Sequence, residues 1–278
     1  MNVLDDNISL YLVPTPIGNM MDMTFRSVEV LKSVDIILCE DTRNTKVLCS
    51  HFNIETPLMC YHIFNEEARC EEVLKLLEEG KKIALVSDAG LPCISDPGYL
   101  ISKKALENGF EVCALPGASA GITALVASGL PSDKFYFYGF LDHKKSQKIK
   151  ELNELCDFKE TIIFYESPHR INETIEVMYD VYKDRNIVIA RELTKKFEEY
   201  IRGNIKDIVN MELNLKGEIV ILVEGAKLSK TQNDLNSKSI QEHYNHYIEL
   251  GLSDMNAIKM VSKDRGVSKS IIYKEIKG

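Results

Sequence analysis

Short β-branched runs alternate with amphipathic stretches along the first 226 residues, and this rhythm limits the chain to an α/β architecture. The runs Leu10–Val13, Asp35–Cys39, Leu58–Tyr61, Ile83–Ser87 and Glu111–Leu115 predict five strands, with helical patterns such as Glu66–Glu79 between them. Strands joined through helices form a mainly parallel sheet, because right-handed crossovers need the intervening helix. The rhythm pauses at Leu130-Pro131-Ser132-Asp133, which marks a junction between one domain over 1–130 and another over 131–226. In the second block, strands are expected at Phe135–Gly139, Thr161–Tyr165, Ile187–Arg191, Glu199–Gly203 and Gly217–Glu224. Helices are expected there at Ser146–Leu155 and Ile171–Tyr182. Two such domains in series imply a cleft between them.

The polar stretch 227–238 reads as a linker, and 239–278 as a helical appendage. Its three helices, Ile240–Leu250, Asp254–Asp264 and Lys269–Ile276, each follow a serine placed to cap them: Ser239, Ser253 and Ser268.

Composition excludes several classes. The longest apolar stretches, such as Ile83–Val86 and Ile219–Val223, fall far short of the roughly 20 residues a spanning helix needs, so no membrane association is expected. Met1–Ser9 carries two aspartates and no basic residue, unlike a secretory leader, and a cytoplasmic location is expected. Seven cysteines without a CxxC pair argue against a disulfide framework and a thiolate zinc site. His243 and His246, three apart on a helix, read as solvated or partner-facing, and no metal site is expected. The net charge of −8 opposes nucleic-acid binding overall. Its distribution does not: Ser253–Gly278 carries six Lys/Arg against three Asp/Glu, and Lys144, Lys145, Lys148 and Lys150 form a second basic cluster. Charge runs of this kind are also what a solvated face looks like.

In α/β domains ligands bind beyond the strand ends, and here the loops that follow strands are rich in small residues. Val13–Asn19 contains two prolines and Gly18; Ser87–Gly98 reads SDAGLPCISDPG; Leu115–Gly121 reads LPGASAG. Small side chains at Ala89, Gly90, Gly117, Ala118 and Ala120 allow a flat polar ligand to approach the backbone, and Asp88 suits a ribose or an ammonium group. Any one of these loops is equally consistent with a plain turn, but three together favour a ligand site. A GxGxxG fingerprint and a GxxxxGK[ST] loop are both missing, which removes the main support for nicotinamide or nucleotide-hydrolase chemistry.

The strings VPTPIGN (13–19), CEDTR (39–43), SDAGLPCISDPG (87–98), PGASA (116–120), FYGFL (137–141), YESPHR (165–170), RELTKKFEE (191–199) and GEIVILVEG (217–225) together resemble the tetrapyrrole methylases. Within that family they are similar to the branch that methylates ribose in small-subunit ribosomal RNA. The resemblance spans residues 10–226, and the helices beyond it look like the helix-turn-helix appendage of that branch. It implies the two-domain α/β tetrapyrrole-methylase fold, a homodimer, and S-adenosylmethionine in the interdomain cleft. It implies cofactor contacts at Pro16, Asp88, Ala89, Gly90, Leu91, Ser119, Ala120, Tyr165 and Gly217. The substrate it implies is a cytidine ribose in 16S ribosomal RNA, free or in the assembled small subunit; the alternative, which fold and cofactor alone leave open, is a small corrinoid or porphyrinoid substrate. Leu91 and Cys93 depart from the commoner GTPLISDPG, with no charged or glycine position altered.

Methyl transfer from a sulfonium needs alignment more than activation of the donor, but a ribose hydroxyl must lose its proton. Candidate bases are Glu40, Asp41, Glu166, Glu192, Lys195 and Glu198, with Glu166 and Lys195 preferred because both sit in loops expected at the cleft. Asp41 and Arg43 fit a helix cap and local ion pair as well as a substrate role. His169 and Arg170 open a helix, where capping competes with RNA contact; Arg43, Arg170 and Arg191 are candidates for clamping phosphates, with Lys144 and Lys145 beside them. The aromatics Phe135–Phe140 fit core packing better than base stacking.

Overall fold

The computed structural model describes residues 4–278, the Lys230 side chain excepted. The first domain runs β1 (Ile8–Leu12), α1 (Phe25–Ser33), β2 (Ile36–Cys39), α2 (Thr42–Phe52), β3 (Leu58–Cys60), α3 (Glu66–Glu78), β4 (Ile83–Leu85), α4 (Tyr99–Glu107) and β5 (Glu111–Ala114). All five strands are parallel in the order β3-β2-β4-β1-β5. Alternation sorts their side chains. Tyr11, Ile37 and Ala84 face Val30, Leu31 and Leu48 of α1 and α2; Leu10, Leu38, Ile83 and Leu85 face Val73, Leu77 and Ile101 of α3 and α4. With both faces covered, ligand access is left to the loops at the strand ends.

The second domain contains β6 (Phe135–Phe140), α6 (Lys145–Glu154), β7 (Thr161–Glu166), α7 (Ile171–Tyr182), β8 (Asn186–Arg191), β9 (Glu199–Asn204), α8 (Ile205–Ile208) and β10 (Ile219–Val223). Its sheet, β6-β7-β10-β8-β9, is mixed: β6 and β7 run parallel and the other pairs are antiparallel. One face packs on α6, α7 and α8 through Phe164, Ile189, Ile221 and Ile175. The other receives α5 (Ala120–Ser128), whose Ala124 and Leu125 lie against Ile163, Val188 and Leu222. The helix that precedes the Pro131 junction is therefore docked on the second sheet, so the packing boundary lies earlier than residue 130.

Further sequence expectations differ from the structure. The 227–238 stretch is not an open linker: it contains α9 (Lys230–Ser237), opened by a capping box between Ser229 and Gln232. Lys148 does not join a surface basic cluster; it is fully buried, donating to Thr174 Oγ1 at 2.8 Å. Only part of β6 packs inward, since Phe135, Tyr136 and Phe140 remain about half exposed on an edge strand.

The appendage is completed by α10 (Ile240–Glu249), α11 (Asp254–Arg265) and α12 (Lys269–Lys277), with a core of its own around Tyr244, Tyr247, Ile258, Val261 and Ile272. His243, expected on a solvated face, is buried there; its Nδ1 accepts from Arg265 Nε at 3.2 Å, and burial together with that guanidinium lowers its pKa. Asp264 is equally enclosed, accepting from Gln232 of α9 at 2.7 Å and from Tyr247.

Candidate active site

Three loops at the strand ends of the first sheet lock together to form one wall of a cleft. Thr15 and Gly90 exchange backbone hydrogen bonds at 2.9 and 3.1 Å, tying the loop after β1 to the loop after β4. Thr15 Oγ1 donates to Ser87 O at 3.1 Å, and Ser87 Oγ donates to Gly90 O at 2.9 Å. The loop after β5 closes in from the other side, so near that a Cβ on Gly117 would stand 2.3 Å from Pro14 Cγ. Gly90, Cys93 and Ser95 all adopt positive φ, and the last two are non-glycine residues held in a strained left-handed conformation. The Ser87–Gly98 segment that contains these turns contributes Ala89, Gly90, Leu91, Ile94, Ser95 and Asp96 to the cleft.

The second domain supplies the opposite wall from the ends of β6, β7 and β10: Phe140, Tyr165, Glu166, Ser167, Pro168, Gly217 and Glu218. Tyr165 ties the walls together, its hydroxyl accepting from Gly121 N at the start of α5 at 3.3 Å. Its ring meets Phe137 and Phe140 edge-on at 5.1 and 5.6 Å. The cleft has a volume of about 350 Å³, within the range of small-molecule sites.

Of the cofactor contacts implied by resemblance, Ala89, Gly90, Leu91, Ser119, Ala120, Tyr165 and Gly217 line this cleft. Pro16 and Asp88 instead line an adjoining pocket of about 130 Å³ with Asn44, whose amide donates to Asp88 Oδ2 at 2.8 Å.

The candidate bases are less available than their sequence positions suggest. Glu166 reaches the cleft, but its buried carboxylate accepts from Ser167 N at 2.8 Å and Thr174 Oγ1 at 2.6 Å and lies 3.1 Å from Arg170 Nε. Asp41 is the N-cap of α2 and chelates its own Arg43; those hydrogen bonds pull its pKa to about 2, leaving it a weak base. Lys195 stands 2.9 Å from Glu192 Oε1 and 3.5 Å from Glu218 Oε2. Burial works against its charge, but those carboxylates prevail and its pKa is raised, so it is a cation and a donor. Glu198 accepts from Thr194 N at 2.6 Å. Glu40 lies outside the cleft lining, and its pKa is raised by burial and by Asp88.

The structure does not bring the basic candidates together at the cleft. Arg170 turns inward to Leu141 O and Asp142 O, Arg191 pairs with Glu199 at 2.6 Å, and Arg43 is exposed but held by Asp41. His169, Lys144 and Lys145 are exposed.

Beyond the candidate bases, Asp96 and Glu218 also face the cleft, with Glu218 paired to Lys195. Among the described residues no hydrogen bond or ion pair engages the Asp96 carboxyl. Burial, then the charges of Glu40 and Asp88, push its pKa up to about 6. The signal for it is present in the ISDPG end of the loop after β4, but the turn that aims it inward depends on left-handed Cys93 and Ser95, residue types that do not advertise that conformation.

Two α/β domains facing one another across a cleft lined by strand-end loops define the methylase class of fold. The structure superposes on that of the methyltransferase CobJ with a TM-score of 0.61 at 18% identity, covering 79% of this chain and 95% of that one. The family model for Tetrapyrrole (Corrin/Porphyrin) Methylases matches residues 9–209. The chain is 49% identical over 269 residues to "Ribosomal RNA small subunit methyltransferase I" of Bacillus subtilis (strain 168), covering 95% of this chain and 92% of the relative. It is 47% identical over 273 residues to the protein of that name from Halalkalibacterium halodurans, covering 97% and 94%. The chain therefore belongs to the tetrapyrrole methylase family and, within it, to the ribosomal RNA small subunit methyltransferase I branch.

Proposed function

We propose that this protein is an S-adenosylmethionine-dependent methyltransferase that acts, as a homodimer in the cytoplasm, on the ribose 2′-oxygen of a cytidine in 16S ribosomal RNA. The observation that carries the reading is near-full-length identity of 49% to a relative named for ribosomal RNA methylation. The cleft suits the cofactor: small residues at Ala89, Gly90, Ser119 and Ala120 leave backbone groups open to a flat polar ligand, while Leu91, Ile94 and Phe140 supply apolar cover. When bound, S-adenosylmethionine supplies an electrophilic methyl group. The chain's own contribution is to align the acceptor, exclude water and receive its proton. Tyr165 holds α5 against the second sheet, and Lys195 bridges Glu192 and Glu218 at the cleft edge. A 2′-hydroxyl that must enter a cleft between two domains is most accessible where the RNA is unpaired or distorted.

To test this reading, small ribosomal subunits purified from a strain lacking the gene are given to the enzyme with methyl-labelled cofactor and digested to nucleosides. Label is expected in cytidine ribose alone. Label in a nucleobase, or in a corrinoid offered in parallel but not in RNA, overturns the reading.

A further inference from the structure

Lys148 on α6 and Thr174 on α7 are both fully buried, and neither lines the cleft. Lys148 Nζ donates to Thr174 Oγ1 at 2.8 Å, and Thr174 Oγ1 donates to Glu166 Oε2 at 2.6 Å. Chemistry fixes the direction of that chain: an ammonium can only donate and a carboxylate only accept, so the single threonine proton points to Glu166. Both bonds are charge-assisted, which makes them strong and geometrically specific. Apolar side chains of the same volume often stabilise a core at least as well as a buried ionic set. Stability alone therefore does not account for these residues; the place where the chain ends does.

It ends on the two strand ends that form the second domain's wall of the cleft. Glu166 Oε1 accepts from Ser167 N at 2.8 Å, holding the backbone where it leaves β7, and lies 3.1 Å from Arg170 Nε. Arg170 Nη2 in turn donates to Leu141 O at 2.7 Å and to Asp142 O at 3.2 Å. Those carbonyls lie just beyond Phe140 and Tyr165, the last ladder pair of β6 and β7, so the arginine takes over where the sheet stops. Glu166 thus joins residues 140–142 to residues 166–168, and Phe140, Glu166, Ser167 and Pro168 all line the cleft. Tyr165 is held separately, by the β10 ladder and by Gly121 N. Two cations, Lys148 and Arg170, face the one Glu166 carboxylate, and the partly exposed Glu173, 3.7 Å from Lys148, offsets the second.

We propose that Lys148 and Thr174 are positioning residues for methyl transfer: acting through Glu166, they fix the turn at Ser167 and Pro168 and the end of β6 against which the acceptor is aligned with the donor methyl. The inference rests on the methyltransferase reading above. Transfer from a sulfonium depends on alignment, and a displacement of about 1 Å costs on the order of 10²-fold in rate. Because Tyr165 has its own ties, loss of the relay acts on the rate of transfer and leaves cofactor affinity largely intact.

Single-turnover transfer to small ribosomal subunits, at saturating subunit and S-adenosylmethionine and on protein shown to be folded by circular dichroism, tests the assignment. Thr174→Val, which keeps the shape and removes the hydroxyl, is expected to lower the rate by about 10- to 100-fold. Thr174→Ser, which restores the hydroxyl, should stay within about three-fold of wild type, and calorimetric affinity for S-adenosylmethionine should change by no more than about two-fold in either variant. Lys148→Met should slow transfer too, and adding it to Thr174→Val should cost nothing more, since both act through one chain. A folded Thr174→Val within two-fold of the wild-type rate overturns the proposal. So does equal slowing by valine and serine, or a loss explained by weaker cofactor binding. Should Thr174→Val not fold, Arg170→Lys, which gives up the Leu141 and Asp142 carbonyls at a partly exposed position, carries the test, and a wild-type rate there overturns the proposal equally. Wild-type enzyme that places no methyl on RNA overturns the functional reading and this proposal together.

Discussion

At the scale of the residue, the half-buried Asp96 carboxyl has a consequence for stability. Its pKa of about 6, against an ordinary 3.8, means that between those values the folded protein holds a proton the unfolded chain has released. Linkage then makes this group's contribution to stability fall as pH rises through that window, leaving a standing penalty above pH 6. After allowance for partial exposure the penalty is on the order of 1–2 kcal/mol. Asp96→Asn, which mimics the neutral acid, should therefore be more stable than wild type at pH 8 and nearly equal to it at pH 4. Urea denaturation at the two pH values measures this; equal midpoints at pH 8 would show that the site does not strain the charged form.

Elements were legible where packing leaves a periodic trace. Every strand run read from the sequence lies within a few residues of an observed strand, because buried parallel and mixed sheets demand β-branched side chains on both faces. The α9 helix left no such trace. Polar almost all round, it is fastened by Leu235, by Gln232 and Asn236 bonding to Asp264, and by Arg265 reaching Leu235 O at 3.1 Å. Hydrogen bonds to a partner helix cannot be seen in a single segment's hydropathy. Lys148 escaped for the same reason: on α6 it is one of several lysines, yet it alone meets α7, through Thr174 and, at 3.7 Å, Glu173. The cleft loops were readable as motifs, but which acid faced inward was decided by backbone turns and by partners distant in sequence. A test at this scale separates buried from surface lysines. Lys148→Met should cost about 2–4 kcal/mol in urea denaturation, because Thr174 and the buried Glu166 carboxylate beyond it lose their cationic neighbour. Lys144→Ala and Lys145→Ala, both exposed, should each change stability by no more than about 0.5 kcal/mol. Comparable losses at all three positions would mean that Lys148 is not a buried anchor.

For the whole molecule, the division of labour between the cleft and the appendage follows from their separate cores. The α9–α12 unit packs around Tyr244, Tyr247, Ile258, Val261 and Ile272, and none of its residues lines the cleft. Within this unit, which carries exposed Asp234, Glu242 and Glu249 on α9 and α10, the charge of α11 and α12 is more one-sided on the surface than in the sequence. Asp264 is buried, Arg265 is engaged by backbone carbonyls, and Asp254 pairs with Lys277 at 2.7 Å. That leaves Lys259, Lys263, Lys269 and Lys274 exposed against Glu275 on α11 and α12, in a chain whose net charge is −8. Such a local positive surface is what phosphate neutralisation requires, and the acidic remainder of the chain would oppose RNA approach elsewhere. Truncation after Ala226 should accordingly leave calorimetric affinity for S-adenosylmethionine within about two-fold, since every residue lining the cleft is retained. RNA affinity should fall, and the slope of log K against log salt should flatten by about 2–3, because each phosphate no longer neutralised takes roughly 0.7–0.9 from the slope. Replacing the four exposed lysines with glutamine in the full-length chain should flatten the slope by a similar amount without removing the helices. An unchanged slope in both proteins would assign the appendage to protein docking or to structural support and leave RNA capture to the rim of the cleft.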